Sequence, residues 1–299
     1  MTFPSVPASG PAAAAAPAAP DWALRLTIRK LEIDLSQGFA RRWHGGDAFR
    51  SQFFNALSMS FPVGEQFFID SVREAARRLP DGPAHAGLRA TVQDFIGQEA
   101  THRRIHGLFN EELARQGLDN RWQHWARRRA ERARRLPPLH ALAATCAFEH
   151  LTAVLADGTL RHPRWLEGAG PTMQTLWRWH AAEETEHRAV AFALFQALGG
   201  SHRMRIGWYL YVLAMFALDA GRQTAINLRR DGGLLRPRTW REAAGFFLGR
   251  DGLVWRCAAP LARYLRRDFH PDTDRDAASA MALARRWLAD NAARYRVVR

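Results

Sequence analysis

Two short strings, GQEATHRR and AEETEHRA, each hold a glutamate followed three residues later by a histidine: Glu99 with His102, and Glu184 with His187. Each is preceded by a lone glutamate in an apolar stretch, Glu65 in FPVGEQFFID and Glu149 in CAFEHLTAV. On a helix, side chains at i, i+4 and i+7 leave one face within an arc of about 100°. His180 therefore joins Glu184 and His187, and His106 falls one turn beyond His102. Glu183 is turned about 100° from Glu184, beside the ligand face, and Glu186 points nearly opposite, toward solvent or a salt bridge. One Glu-x-x-His is common on solvated helices. Four carboxylates on apolar helices are not, because burying each without a counter-charge is costly. Two Glu-x-x-His helices and two helices with one Glu each form the donor set with which a four-helix bundle holds two metal ions.

The intervals agree. Glu65 and Glu99 are 34 residues apart and Glu149 and Glu184 are 35, which suits two helical hairpins of nearly equal size. The 50 residues from Glu99 to Glu149 leave room for a connection between them. The expected fold is all-α: a ferritin-like four-helix bundle with a crossover helix and additional C-terminal helices. Bundle helices are predicted over residues 49–79, 85–116, 139–156 and 172–198. Pro62 and Gly64 fall inside the first, where proline removes a backbone hydrogen bond and either kinks the helix or splits it at a loop.

At 299 residues and 47% hydrophobic content, the chain can bury a large core within one domain. The expected division is a disordered Ala/Pro-rich leader over 1–20, an N-terminal arm over 21–48 and a helical domain over 49–299, with the metal-binding bundle at 49–200 and C-terminal helices at 201–299. The leader lacks the basic start and continuous apolar run of a secretory signal. Residues 24–35 alternate apolar and polar and suit a short strand or extended arm, and His44 in the loop after it reads as a surface histidine. Two cysteines give no disulfide framework or cysteine cage and fit a reducing cytoplasm. The formal charge is +14, carried almost wholly by arginine with Lys30 the one lysine. That bias follows a GC-rich genome as readily as a nucleic-acid partner.

Residues 119–136, DNRWQHWARRRAERARRL, interleave Arg and Trp as nucleic-acid binders do, yet they lie where a solvated crossover helix is required. Nucleic acid is thus not the expected partner. Residues 205–222 are apolar over too short a run to cross a bilayer and suit a fifth helix, with peripheral membrane contact as the alternative. Asp219 within that run either orients a metal-bound imidazole or is a polar residue near the helix end. His150, turned about 100° from Glu149, suits a partner behind the ligands or a structural histidine, and Cys146 suits core packing. Further helices are predicted over 240–266 and 273–294, joined by FHPDTD, where Asp272 capping the last helix is more economical than a second metal site.

The strings FNALSMSFPVGEQFFIDSVR, FIGQEATHRRIHGLFN and WRWHAAEETEHRAVAF resemble the hallmark segments of the bacterial family of predicted metal-dependent hydrolases, placed among ferritin-like proteins. The resemblance runs from about Ile28 into the C-terminal helices. A narrower one concerns the donors: Glu65, Glu99, His102, Glu149 and His180-x-x-x-Glu184-x-x-His187 are similar to the seven-ligand set of the di-iron arylamine N-oxygenases. That resemblance implies seven metal ligands and no substrate residue. His106 has no counterpart there, and a ligand, a partner behind a ligand and a core histidine all remain open for it.

Carboxylate and imidazole donors without thiolate suit two ions of iron, or of manganese. The expected function is O2-dependent oxidation of a small organic substrate, needing an electron donor. A hydrolase acting on an ester or phosphate through a bridging hydroxide is the alternative. An iron-handling protein or a basic adaptor is a third class.

Overall fold

A computed structural model describes residues 25–299, so the expected leader over 1–20 and the first residues of the arm lie outside the described residues. Ten α-helices and one two-stranded sheet make up the described chain.

Asp47 starts α1 (Ala48–Ala76) by accepting a hydrogen bond from the Arg50 amide, satisfying one of the orphan donors of the first turn. The helix continues through Pro62, so the break into two short helices does not occur. Proline cannot donate to the carbonyl four residues back. At this position that carbonyl belongs to Ser58, and Asn110 Nδ2 donates to it instead at 2.9 Å. Asn120 Nδ2 takes the next carbonyl, Met59, also at 2.9 Å.

The return helix α2 (Ala86–Arg115) completes the first hairpin. The crossover α3 (Trp122–Ala133) leads to the second, α4 (Pro138–Arg161) and α5 (Pro171–His187). These four long helices pack α1 on α2 and α4, and α4 on α5, around the Glu and His positions. Among the described residues α4 is the one helix apolar and long enough to cross a membrane, and 56% of that apolar stretch is buried inside the protein.

Several boundaries differ from expectation. The helix predicted over 172–198 stops at His187 and resumes as α6 (Val190–Ala197). At the interruption Arg188 turns to the C-terminal segment, donating from Nη2 to the Ala277 carbonyl at 3.1 Å, with Asp272 also close. The fifth helix, α7 (His202–Arg230), is longer than its apolar run, begun by Ser201 accepting from the Met204 amide. The predicted helix over 240–266 is two, α8 (Pro237–Leu248) and α9 (Leu253–Arg263), parted at Gly249. Asp272 does not cap α10 (Ala277–Asp290), which begins after Asp276.

In the arm, β1 (Arg29–Leu31) pairs antiparallel with β2 (Tyr295–Val297) from the far end of the chain. That partner was invisible in the sequence, since three residues carry too little alternation to mark a strand. His44 is 1% exposed, not a surface histidine: its Nε2 lies 2.9 Å from the Trp165 carbonyl.

Candidate metal centre

Glu65 on α1, Glu99 and His102 on α2, and His180, Glu184 and His187 on α5 converge between the bundle helices. Glu99, His102, Glu184 and His187 form one group, and Glu65, His102 and His180 a second, each with donor atoms within 4.8 Å of one another. All six side chains are buried. Glu184 is the hub: its Oε1 lies 2.9 Å from His180 Nε2, 3.6 Å from His102 Nδ1 and 3.9 Å from His187 Nε2. Glu65 Oε1 reaches within 3.9 Å of His180 Nε2, and Glu99 Oε1 within 3.3 Å of His187 Nε2. Ligand atoms at bond lengths of about 2.1 Å around a shared ion stand roughly 3–4 Å apart, so these spacings fit a metal.

Glu149 on α4 lies beside these groups but in neither. Its Oε2 is 2.9 Å from His187 Nδ1, and its Oε1 has no hydrogen-bond partner.

The pattern of satisfied and unsatisfied atoms tests the fit. Both oxygens of Glu65 and of Glu99, Oε1 of Glu149, Oε2 of Glu184, Nδ1 of His102 and Nε2 of His187 are buried without a hydrogen-bond partner. Native interiors hold only a few such atoms, scattered through the fold, whereas eight gather here at one place. Divalent cations bound by these donors would satisfy them.

Electrostatics lead to the same conclusion. Burial, with Glu184 as the nearest like charge, pushes the carboxyls of Glu65 and Glu99 well above the usual range. Burial likewise raises Glu149 to about 7, against the pull of His187. Burial also opposes charge on Glu184 and His187, yet each is held charged by its neighbours: His187 and His180 lower Glu184 to about 2, and Glu149 and Glu184 raise His187 to about 9. Without metal the centre can carry only part of its negative charge. Two divalent ions would let every carboxylate ionise.

Behind the donors, further groups fix the imidazoles. His102 Nε2 donates to Glu183 Oε2 at 3.0 Å, which selects the tautomer with Nδ1 free for a metal. Glu183 is itself held by Arg29 at 3.1 Å, and Arg29 also bonds Glu186 at 2.7 Å. Glu186 thus takes the salt bridge its orientation foretold. His106, 0% exposed, lies with Nε2 2.6 Å from His180 Nδ1. With His180 Nε2 facing the centre, its Nδ1–H donates to His106, whose own Nδ1 bonds Ser58 Oγ at 2.9 Å. Ser58 Oγ in turn donates to Asn110 Oδ1 at 2.9 Å.

Two other residues singled out from the sequence lie away from the donors. Asp219 is ion-paired with Arg129 of the crossover helix and orients no imidazole. His150 stacks on Tyr264 with ring centroids 4.5 Å apart, and its Nε2 lies 3.3 Å from the Pro260 carbonyl, so its role is structural. Cys146 is buried in the core, as expected.

Arg29, Ser58 and Asn110 escaped the sequence reading. Arg29 sits in an arm with nothing to mark it for the centre. Pro62 was the available signal for Ser58, since a helical proline always frees the carbonyl four residues earlier.

A cavity of about 300 Å³ runs between α3 and α7 and ends on Glu65 and Glu184. Its wall is mainly apolar, with Phe61, Phe67, Phe68, Phe148, Val212 and Phe216 among its lining. Against the centre itself, Phe61 packs on His180 and His106, and Phe95 meets His187 edge-on.

The family described as predicted metal-dependent hydrolase matches residues 27–275, a span that includes every residue of the centre. No curated protein and no solved structure matches significantly.

Proposed function

The chain belongs to the predicted metal-dependent hydrolase family, and from that membership and its buried Glu and His groups we propose a di-metal carboxylate enzyme that uses O2 to oxidise a small organic substrate. Glu65, Glu99, His102, Glu149, His180, Glu184 and His187 would hold the two ions. Iron, or manganese, suits this donor set better than thiolate-preferring metals.

One observation carries the oxidative reading: Glu65 and Glu184 line a cavity whose wall is mainly apolar, and the charged side chains of that wall, Arg129, Arg132 and Asp219, stand on α3 and α7 rather than on the helices that carry the donors. Iron, when bound, would supply the O2 activation; overall, O2 with two electrons from an external donor and two protons would place one oxygen atom in the substrate and release the other as water. The protein's own part is positional. Glu183 and His106 hold two imidazoles in the tautomers that leave a nitrogen free toward the metals. Phe61 and its neighbours exclude water and place a carbon framework against Glu65 and Glu184.

Hydrolysis is the second reading, favoured by the family's description. Two ions held by these residues would supply Lewis acidity toward an ester or phosphate.

Loading the protein with ferrous iron without oxygen, then admitting O2, separates the two. Oxidation predicts a transient visible absorption and O2 consumption. A hydrolase would turn over without O2 or reductant and would accept redox-silent metals such as zinc.

A further inference from the structure

The cavity that reaches Glu65 and Glu184 has unlike ends. Inward it is closed by the metal-binding carboxylates. Outward it opens beside Leu136 and Tyr211, both exposed, and Leu210 and Leu218, on the same helix as Tyr211, are exposed as well. Exposed apolar area of this kind marks a binding surface, and here it leads into the cavity.

The unpaired charges at this mouth are of one sign. Arg129 is neutralised by Asp219 within the wall. Arg132 also lines the cavity, is exposed, and has no acidic partner at ion-pair distance among the described residues. Arg128, one helical turn before it and so on the same face of α3, is likewise without an ion pair among the described residues. A cationic rim over an apolar channel is complementary to an anionic head on a hydrocarbon chain. A neutral substrate would make no use of the rim. A second copy of this chain would bring like charges together.

We propose that this cavity binds an anionic acyl amphiphile, its chain running inward toward Glu65 and Glu184 and its head held at the mouth by Arg132. Such a ligand presents hydrocarbon to the metals rather than its head group. The proposal therefore deepens the oxidative reading and rests on this cavity being the substrate's approach.

The test uses the full chain with its metals bound and reads binding through the fluorescence of Trp122 and Trp208, which line the cavity. Saturated fatty acids of increasing length and the matching long-chain alcohols serve as probes below their aggregation limits. The expected result is affinity that rises about fourfold per methylene until the cavity is filled. Arg132→Glu should weaken the carboxylates at least tenfold and leave the alcohols unchanged, while Ala130→Phe, which fills the channel from α3, should weaken both. Retained metal content in both variants confirms that they fold. Phosphatidylglycerol vesicles identify the source: sedimentation of the wild type but not of Arg132→Glu means the amphiphile is taken from a bilayer, and binding of free acid alone means it arrives dissolved. Failure of every chain length to bind, or equal binding of acid and alcohol that Arg132→Glu does not alter, overturns the proposal. Because binding is read without turnover, absence of O2 chemistry beside an intact chain-length series would count against the oxidative reading alone.

Discussion

His106 Nε2 stands 2.6 Å from His180 Nδ1, and through Ser58 and Asn110 that contact joins an imidazole of the candidate metal centre to the carbonyl that Pro62 leaves without a helix donor. Replacing His106 by Phe removes the acceptor that fixes the His180 tautomer while keeping an aromatic ring in the space. Metal affinity should fall roughly 10–100-fold at one of the two ions. Competition against a chelator of known affinity reads this directly; unchanged affinity for both ions would show that His106 is packing alone.

Arg29 reaches from the arm to both Glu183 and Glu186 inside the bundle. Arg29→Met leaves these carboxylates without their cation, and loss of one member of a buried ionic group costs about 3–5 kcal/mol. Thermal or urea unfolding should show a loss of that size. Adding Glu183→Gln and Glu186→Gln to Arg29→Met should recover much of it, because the uncompensated charge is then gone.

Pro62 interrupts the hydrogen-bond ladder of α1 three residues before Glu65. Pro62→Ala relieves a helix-interior proline and should stabilise the protein by roughly 1–3 kcal/mol. It should also return the Ser58 carbonyl to the helix ladder in place of Asn110, displacing Glu65 and lowering metal occupancy. A higher melting temperature with undiminished metal content would mean that Pro62 does not set the position of Glu65.

The metal-free protein should lose stability as pH rises from 7 to 8.5. In this window folded His187, raised to about 9, still holds a proton that the unfolded chain, near 6.5, has released. Glu65 and Glu99, raised well above their usual range, act in the same direction. The slope is about 1.4 kcal/mol per pH unit for each extra proton held. His102 and His106, lowered by burial, contribute only below about 6.5, where falling pH costs stability. Metal binding replaces the protons, so the loaded protein should be nearly flat from 7 to 8.5. Parallel melting curves with and without metal would contradict this.

What the sequence made legible followed from periodicity and charge. Glu65, Glu99, His102, His180, Glu184 and His187 could be brought together because a helix presents every third or fourth residue on one face and an apolar face must be buried. Glu149 was placed on the right helix, but its contact with the His187 ring depends on side-chain packing that no spacing encodes. Arg29 was illegible because its partners lie 154 and 157 residues away. Asp219 misled because the polar group it meets, Arg129, sits on a crossover helix whose approach to α7 is set by tertiary packing. The break after His187 had no glycine or proline to announce it.

Metal content per chain is the most direct test of the centre on which all of this depends. After loading with ferrous iron without oxygen and removal of loosely held ions, the protein should retain two irons per chain. The double variant Glu99→Ala, Glu184→Ala should remain helical and retain none. Retention of no metal by the wild type, or the same retention by both proteins, would contradict a di-metal centre at these residues.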